Sequence, residues 1–285
     1  MRNKDFVVFI LSHGRADRVY TIKALEKYKY TGDWYIICDN EDETLEDYYR
    51  YFGKDKVIVF DKLAKSKECD TLDNLDARNI VLFARNSCHE IAKKLGYRYF
   101  LELDDDYKSF LFRYPEGDKL GSAHPKSLDD IFDAVLDFYK DLPSIKTITF
   151  AQGGDFIGGL DGGKYKQGIL RKAMNTFFCD VQNPFTFIGR INEDVNTYCL
   201  YGSQGNLFLT ITDVMINQVD TQANLGGLTD SYLSLGTYIK SFYTVMCCPS
   251  SVKISAMITN HQRIHHIIDW DRAVPKIISD RFKIK

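Results

Sequence analysis

Residues Tyr99 to Tyr107 read Tyr-Phe-Leu-Glu-Leu-Asp-Asp-Asp-Tyr, an apolar run that stops in three consecutive carboxylates. Such a run predicts a buried strand, and in an open α/β sheet ligands bind outside the carboxyl ends of the strands. On extended backbone residues i and i+2 share a face, so Asp104 and Asp106 are expected to present oxygens to one hard cation, which would take phosphate as a further ligand. The alternative is a solvated acidic turn. The rest of the chain bears on that choice.

Three more apolar runs end in polar loops. Phe6–Leu11 predicts a fully buried strand, followed by Ser12-His13-Gly14-Arg15 and a helical pattern from Val19 to Tyr28. That loop joins a Gly, a hydroxyl and an Arg near a helix start, which suits a nucleotide diphosphate as well as it suits a plain turn. Trp34–Cys38 predicts a second strand, ending in Asp39-Asn40-Glu41-Asp42, and Val57–Phe60 a third. Asp39 or Glu41 could accept hydrogen bonds from a ribose or base, whereas Asp42 and Glu43 equally fit a helix N-cap. Leu72 to Leu95 reads as one long helix, with Ile80, Ala84, Cys88, Ile91 and Leu95 recurring along one face and Gly96 ending it, and Arg78-Asn79 and Arg85-Asn86 fall on it.

The second half predicts a short strand at Ser109–Phe112, a loop to Ser127, a helix from Ser127 to about Leu142 with Ser127 as N-cap, and strands at Ile145–Ala151 and Leu207–Ile211. The glycine-dense stretch Gln152 to Gly159 is either a substrate-side loop or an irregular connection. Glu193-Asp194 opens another helix about 90 residues after Asp104, as a cap or as a carboxylate able to deprotonate a hydroxyl. Ser231–Cys248 reads as an aromatic-rich helix halted by Pro249. His261, His265 and His266 cluster near Trp270, and neutral imidazole could complete a metal site begun at Asp106 or simply sit in a polar turn.

Composition narrows the class. A chain of 285 residues with 45% hydrophobic and 27% charged residues is expected to be one globular α/β unit without low-complexity tracts. Its apolar N-terminal run is too short for a signal sequence or a membrane span, which predicts a soluble, intracellular, cytoplasmic protein. Seven cysteines lack any zinc-like spacing. The net charge of −2 gives no global pull toward nucleic acid, so DNA contact would rest on local clusters such as Lys164, Lys166, Arg171 and Lys172, or Arg281, Lys283 and Lys285.

In order and number these stretches resemble the TET/JBP-associated glycosyltransferase family, which is encoded largely by bacteriophages. The resemblance is carried by Ser12–Arg15, Leu103–Tyr107, Arg190–Asp194, Gly226–Asp230, Gly236–Tyr243, Arg263–His266 and Val274–Ser279. It implies a GT-A fold, a Rossmann-like mixed sheet flanked by helices, as a single domain over 1–285, with a nucleotide-sugar half at 1–107 and an acceptor half at 108–285. It further implies a nucleotide-sugar donor, foremost a UDP-sugar, a Mn²⁺ or Mg²⁺ ion, and as acceptor the hydroxymethyl group of a 5-hydroxymethylpyrimidine, foremost 5-hydroxymethylcytosine, in phage DNA inside the host cytoplasm. The implied roles are metal ligation by Asp106 and Asp104 with His265 or His266, and donor binding by Ser12, His13, Gly14, Arg15, Asp39, Arg78, Arg85, Asp104 and Asp105. Asp194, with Glu193 beside it, would face the acceptor. A protein or small-molecule hydroxyl acceptor and a non-catalytic nucleotide or nucleic-acid binder are the alternatives.

Overall fold

A computed structural model describes residues 1–162, 172–219, 239–258 and 262–273. The first strands form as the apolar runs dictate: β1 (Phe6–Leu11), β2 (Asp33–Asp39), β3 (Val57–Phe60) and β4 (Tyr99–Asp104). β1 lies between β2 and β4, and β3 flanks β2, all parallel. Parallel strands covered on both faces have no polar side to show, which is why these runs are continuous rather than alternating.

Alternation along β1 sorts its side chains between two cores. Phe6, Val8 and Ile10 pack with Ile22 and Leu25 of α1 (Tyr20–Lys27), Tyr48 of α2 (Leu45–Phe52) and Phe132 of α5 (Leu128–Asp141). Val7, Phe9 and Leu11 meet Leu82, Phe83 and Ile91 of α4 (Leu82–Leu95) on the other face. A short α3 (Lys62–Ser66) follows β3, capped by the Asp61 side chain. Ser127 caps α5 as expected, its Oγ accepting from the Asp130 amide at 3.2 Å. Gly96 ends α4 in the left-handed region at φ 84°, where a side chain would be strained.

The second half adds β5 (Tyr107–Glu116), β6 (Lys119–Ala123), β7 (Ile145–Gln152), β8 (Phe177–Asp180) and β9 (Leu207–Gln218), giving a nine-stranded mixed sheet in the order β3-β2-β1-β4-β8-β7-β9-β5-β6. α6 (Glu193–Ser203), α7 (Ile239–Cys247) and α8 (Trp270–Ala273) pack beside a separate antiparallel hairpin of β10 (Val252–Ile258) and β11 (Gln262–Ile268).

Three expectations change. Leu72–Val81 is not helical, and α4 starts at Leu82. That polar segment is held instead by Arg190, whose guanidinium donates to Asp73 at 2.7 and 2.8 Å, to the Leu75 carbonyl at 2.7 Å and to the Ala77 carbonyl. Second, the expected short strand at Ser109–Phe112 is the middle of a ten-residue strand paired with β6, which the Pro and Gly content of this stretch hides. Third, His265 and His266 lie on strand β11 rather than in a turn. The expected helix over Ser231–Cys248 is described from Ile239 onward, and Gly226–Asp230, Val274–Ser279, Lys164, Lys166, Arg171, His261 and the C-terminal basic cluster lie outside the described residues.

Candidate active site

β4 ends at Asp104, and Asp105 and Asp106 form the turn before β5. The backbone is therefore not extended across the three aspartates, contrary to the reading that put Asp104 and Asp106 on one strand face. The reason is topological: β5 pairs with β9 and β6, not with β4, so the chain must leave the sheet here. Thr21 of α1 pins the turn, its hydroxyl donating to the Asp104 carbonyl at 2.5 Å and its amide to the Asp105 carbonyl at 3.2 Å.

Alternation along β4 decides what each carboxylate meets. Leu101 and Leu103 face the α1 and α5 core, whereas Phe100, Glu102 and Asp104 face α4. There Arg85, 3% exposed, places Nη2 3.0 Å from Asp104 Oδ1, Nη1 3.5 Å from Glu102 Oε2 and Nε 3.1 Å from Glu193 Oε1 at the start of α6. Its guanidinium carbon lies 5.1 Å from the Phe177 ring centre and 5.6 Å from that of Phe187. Arg85 thus faces inward, joining a strand end to a helix start, rather than outward to a diphosphate.

One guanidinium among three carboxylates leaves a negative excess, and burial makes it costly. Burial pushes Glu102 up to about 8 in spite of Arg85, and burial together with Asp194 pushes Glu193 up to about 7. Burial likewise raises Asp194, against the Val195 amide that donates to its Oδ1 at 2.7 Å and the charges of Arg85, Lys240 and Lys172. Asn192, in the left-handed region before α6, fixes this helix start by donating to the Lys240 carbonyl at 2.5 Å and to Thr244 Oγ1 at 3.0 Å.

Asp105 turns to the opposite side. Its Oδ2 accepts from Ser12 Oγ at 2.5 Å and pairs with Arg15 Nε at 3.1 Å, while burial raises it to about 6. Tyr48, not anticipated from the sequence, ties the same loop: its hydroxyl lies 2.7 Å from Ser12 Oγ and accepts from the Arg15 amide at 3.0 Å. Gly14, at φ 68°, donates its amide to Asp42 Oδ2 at 2.8 Å. His13 Nδ1 sits 2.8 Å from Asp39 Oδ2, and buried Lys62 reaches Asp39 Oδ1 at 3.1 Å. Burial alone would raise Asp39, but the hydrogen bonds of His13 and Lys62 hold it below the usual carboxylate range. Arg78 pairs with Glu41 at 2.9 Å, outside any helix.

Asp106 differs from its neighbours. Its Oδ1 is buried and has no hydrogen-bond partner among the described residues, and burial with the charges of Asp104 and Asp105 raises it to about 7. A carboxylate oxygen shielded from water with no donor suits a hard cation. His266 is 5% exposed, neither ring nitrogen has a partner among the described residues, and burial, His265, Lys172 and Lys240 lower it to about 3. The His265 ring lies 4.4 Å from it. Among the described residues no group of three or more His, Cys, Asp or Glu side chains is placed to hold a metal, so the two histidines are not gathered with Asp104 and Asp106 into one donor set.

Glu102 and Arg190 carry much of this arrangement, although the sequence reading gave neither a role. Glu102 had a signal: it is the one charge inside an otherwise apolar strand run, and a buried strand carboxylate needs a partner. Arg190 had only its place at the head of the Arg190–Asp194 stretch.

A sequence profile of the TET-Associated Glycosyltransferase family matches residues 6–227. Among solved structures, glucosyl-3-phosphoglycerate synthase from Mycobacterium tuberculosis in complex with Mg²⁺ and uridine diphosphate is 10% identical with a TM-score of 0.45, over 92% of this chain and 87% of that one. Mannosyl-3-phosphoglycerate synthase from Rubrobacter xylanophilus is 10% identical with a TM-score of 0.42, over 92% and 86% of the two chains. At this distance no residue role or ligand transfers from either. A search among curated proteins gave no significant match. A mixed sheet flanked by helices, with a parallel Rossmann-like first half, is present as expected from the sequence. With most of its length inside the family profile, the chain belongs to the TET-Associated Glycosyltransferase family.

Proposed function

We propose that this protein moves a sugar from a nucleotide sugar, with UDP-sugars the first donors to try, onto the hydroxymethyl group of a 5-hydroxymethylpyrimidine in DNA, 5-hydroxymethylcytosine foremost. The single observation that carries the reading is the buried Asp106 oxygen, without a partner among the described residues, at the carboxyl end of β4, one turn from an Arg85-bound carboxylate set that reaches Asp194's helix. The chain acts as one domain, with residues 1–107 on the donor and 108–285 on the acceptor.

Asp106, with Asp104 beside it, would hold a Mn²⁺ or Mg²⁺ ion, which when bound neutralises charge on the leaving diphosphate. Arg15, held at Asp105 and only part exposed, lies on the donor side with Ser12, His13 and Gly14, and Asp39 lies behind them. Asp194, at the first turn of α6 with its pKa raised, takes the proton of the attacking hydroxyl as the bond from that oxygen to the sugar carbon forms and the bond to the diphosphate breaks. The sugar carbon passes through an oxocarbenium-like state. Arg85 sets the distance between the two groups of carboxylates rather than touching the donor. His266, near the Lys172 and Lys240 charges that also act on Asp194, belongs to the acceptor side of the cleft.

The experiment is transfer itself. The protein is incubated with a panel of nucleotide sugars, Mn²⁺ and DNA carrying 5-hydroxymethylcytosine or 5-hydroxymethyluracil, and the digested nucleosides are weighed. A mass gain of one sugar supports the proposal. Transfer to a protein or small molecule with unmodified nucleosides would replace the acceptor.

A further inference from the structure

The strand order β3-β2-β1-β4 runs outward from β1 and then returns to its other side, so the chain reverses direction between β1 and β4. In open α/β sheets the crevice outside the carboxyl ends at such a reversal receives the ligand. Its two lips here are the Ser12–Arg15 loop and the aspartate turn, because Leu11 pairs with Asp104 across the two strands. A side chain from a third element joins them. Tyr48 of α2 is fully buried, with its ring in the core beside Phe6 and Ile10 and its hydroxyl delivered to the end of β1.

The polarity of the bonds it makes is fixed. A carboxylate oxygen only accepts, so Ser12 Oγ spends its single proton on Asp105 Oδ2 at 2.5 Å. Ser12 Oγ must then accept at 2.7 Å from Tyr48, whose phenol keeps its proton because burial raises it above the ordinary range. Tyr48 in turn accepts the Arg15 amide at 3.0 Å. Arg15 closes the ring, with Nε 3.1 Å from the same Asp105 oxygen. Backbone and side chain of Arg15 are thus both held, and its terminal nitrogens are what this side chain, 28% exposed, offers to an anion. The Ser12, Gly14 and Arg15 amides are already committed to the Ile37 carbonyl, Asp42 and Tyr48. Arg15 also carries the one permanent charge of this loop. A diphosphate here is met by a planar guanidinium rather than by a cradle of amides.

We propose that Tyr48 is a positioning residue for the donor: its hydroxyl orders Ser12 and Arg15 before binding, so that Arg15 meets the diphosphate of the nucleotide sugar already in place. The inference rests on the donor site proposed above. Ordering a binding group in advance lowers the cost of binding and leaves the bond-making step alone. Tyr48→Phe keeps the ring and its packing and deletes one oxygen. The Arg15 amide then loses its acceptor and Ser12 Oγ its donor, while Asp105 keeps both of its partners.

The test is calorimetric titration of UDP, with GDP, ADP and CDP in parallel, at pH 8 with Mn²⁺, into the wild type, Tyr48→Phe, Arg15→Met and the double variant. For the nucleotide that binds tightest, Tyr48→Phe is expected to weaken binding about tenfold and Arg15→Met about thirtyfold. The double variant should fall no more than about twofold below Arg15→Met, because Tyr48 acts through Arg15. In the transfer assay Tyr48→Phe should raise the donor KM about tenfold and leave kcat within about twofold. Ser12→Ala breaks the same chain without touching the core, so it should act in the same direction and likewise lose its effect beside Arg15→Met; it carries the test if Tyr48→Phe folds poorly. Unchanged affinity in both Tyr48→Phe and Ser12→Ala, or a loss that persists in full beside Arg15→Met, would overturn the positioning role and leave the donor site standing. Unchanged affinity in Arg15→Met would overturn it by removing Arg15 from the diphosphate. Failure of all these nucleotides to bind the wild type would remove the donor site and the role of Tyr48 together.

Discussion

Arg85 Nε and Glu193 Oε1 lie 3.1 Å apart, both buried, across 108 positions of sequence. Through this bond and those to Glu102 and Asp104, one side chain couples the end of β4 to the start of α6. Removing it leaves buried carboxylates with no cation. Arg85→Met should cost about 3 kcal/mol of unfolding free energy, and Arg85→Lys should recover only part of that because an ammonium cannot reach three carboxylates in one plane. Urea titration followed by circular dichroism measures it; a loss below about 0.5 kcal/mol would mean the hub is not a structural tie.

Why this hub was not legible in the sequence follows from the sheet. The apolar runs identify β1 to β4 because a doubly covered parallel strand shows continuous hydrophobicity, and these strands form within a residue or two of expectation. The face on which Arg85 falls depends on the parity of β4 against α4, and no local pattern encodes that. Asp105 and Asp106 likewise read as a continuation of β4 until β5 is seen to pair elsewhere in the sheet. Leu72–Val81 reads as the head of the α4 helix, but its Leu75 and Ala77 carbonyls accept from the Arg190 side chain, and the Asp70 and Thr71 carbonyls just before it accept from the Gly189 and Arg190 amides, more than a hundred residues on. The histidines of β11 needed its pairing with β10 to be placed at all.

Stability should fall with pH above neutrality. In the metal-free protein Glu102 is raised to about 8, and Glu193 and Asp106 to about 7, whereas unfolded carboxyls titrate near 4. The folded state therefore holds more protons than the unfolded chain, and the stability these groups supply is lost as pH rises through the folded values. His266 and His89, lowered to about 3 and about 4, act in the opposite sense but below about 6.5, so the window from pH 7 to 8.5 is free of them. Thermal unfolding at pH 7 and 8.5 should show the loss, and Glu102→Gln should shrink it; a rise in melting temperature over that window would refute the assignment.

Asp194→Asn should separate binding from chemistry. The amide keeps an oxygen for the Val195 amide, so α6 starts as before, but no group is left to take the acceptor proton. Transfer should drop by about a hundredfold or more while donor affinity stays within about twofold. Loss of donor affinity would move Asp194 to the donor side.

Asp106 is where the account is most exposed. Its carboxyl must ionise to hold a cation, so metal-dependent nucleotide binding should strengthen as pH rises from about 6 to 8. Titrating UDP into the protein by calorimetry, with and without Mn²⁺, on the wild type and on Asp106→Asn, tests the site directly. The prediction is that Mn²⁺ strengthens UDP binding to the wild type at least about tenfold and leaves Asp106→Asn unaffected. Equal Mn²⁺-dependent affinity in the two proteins would contradict a metal–diphosphate site at the end of β4.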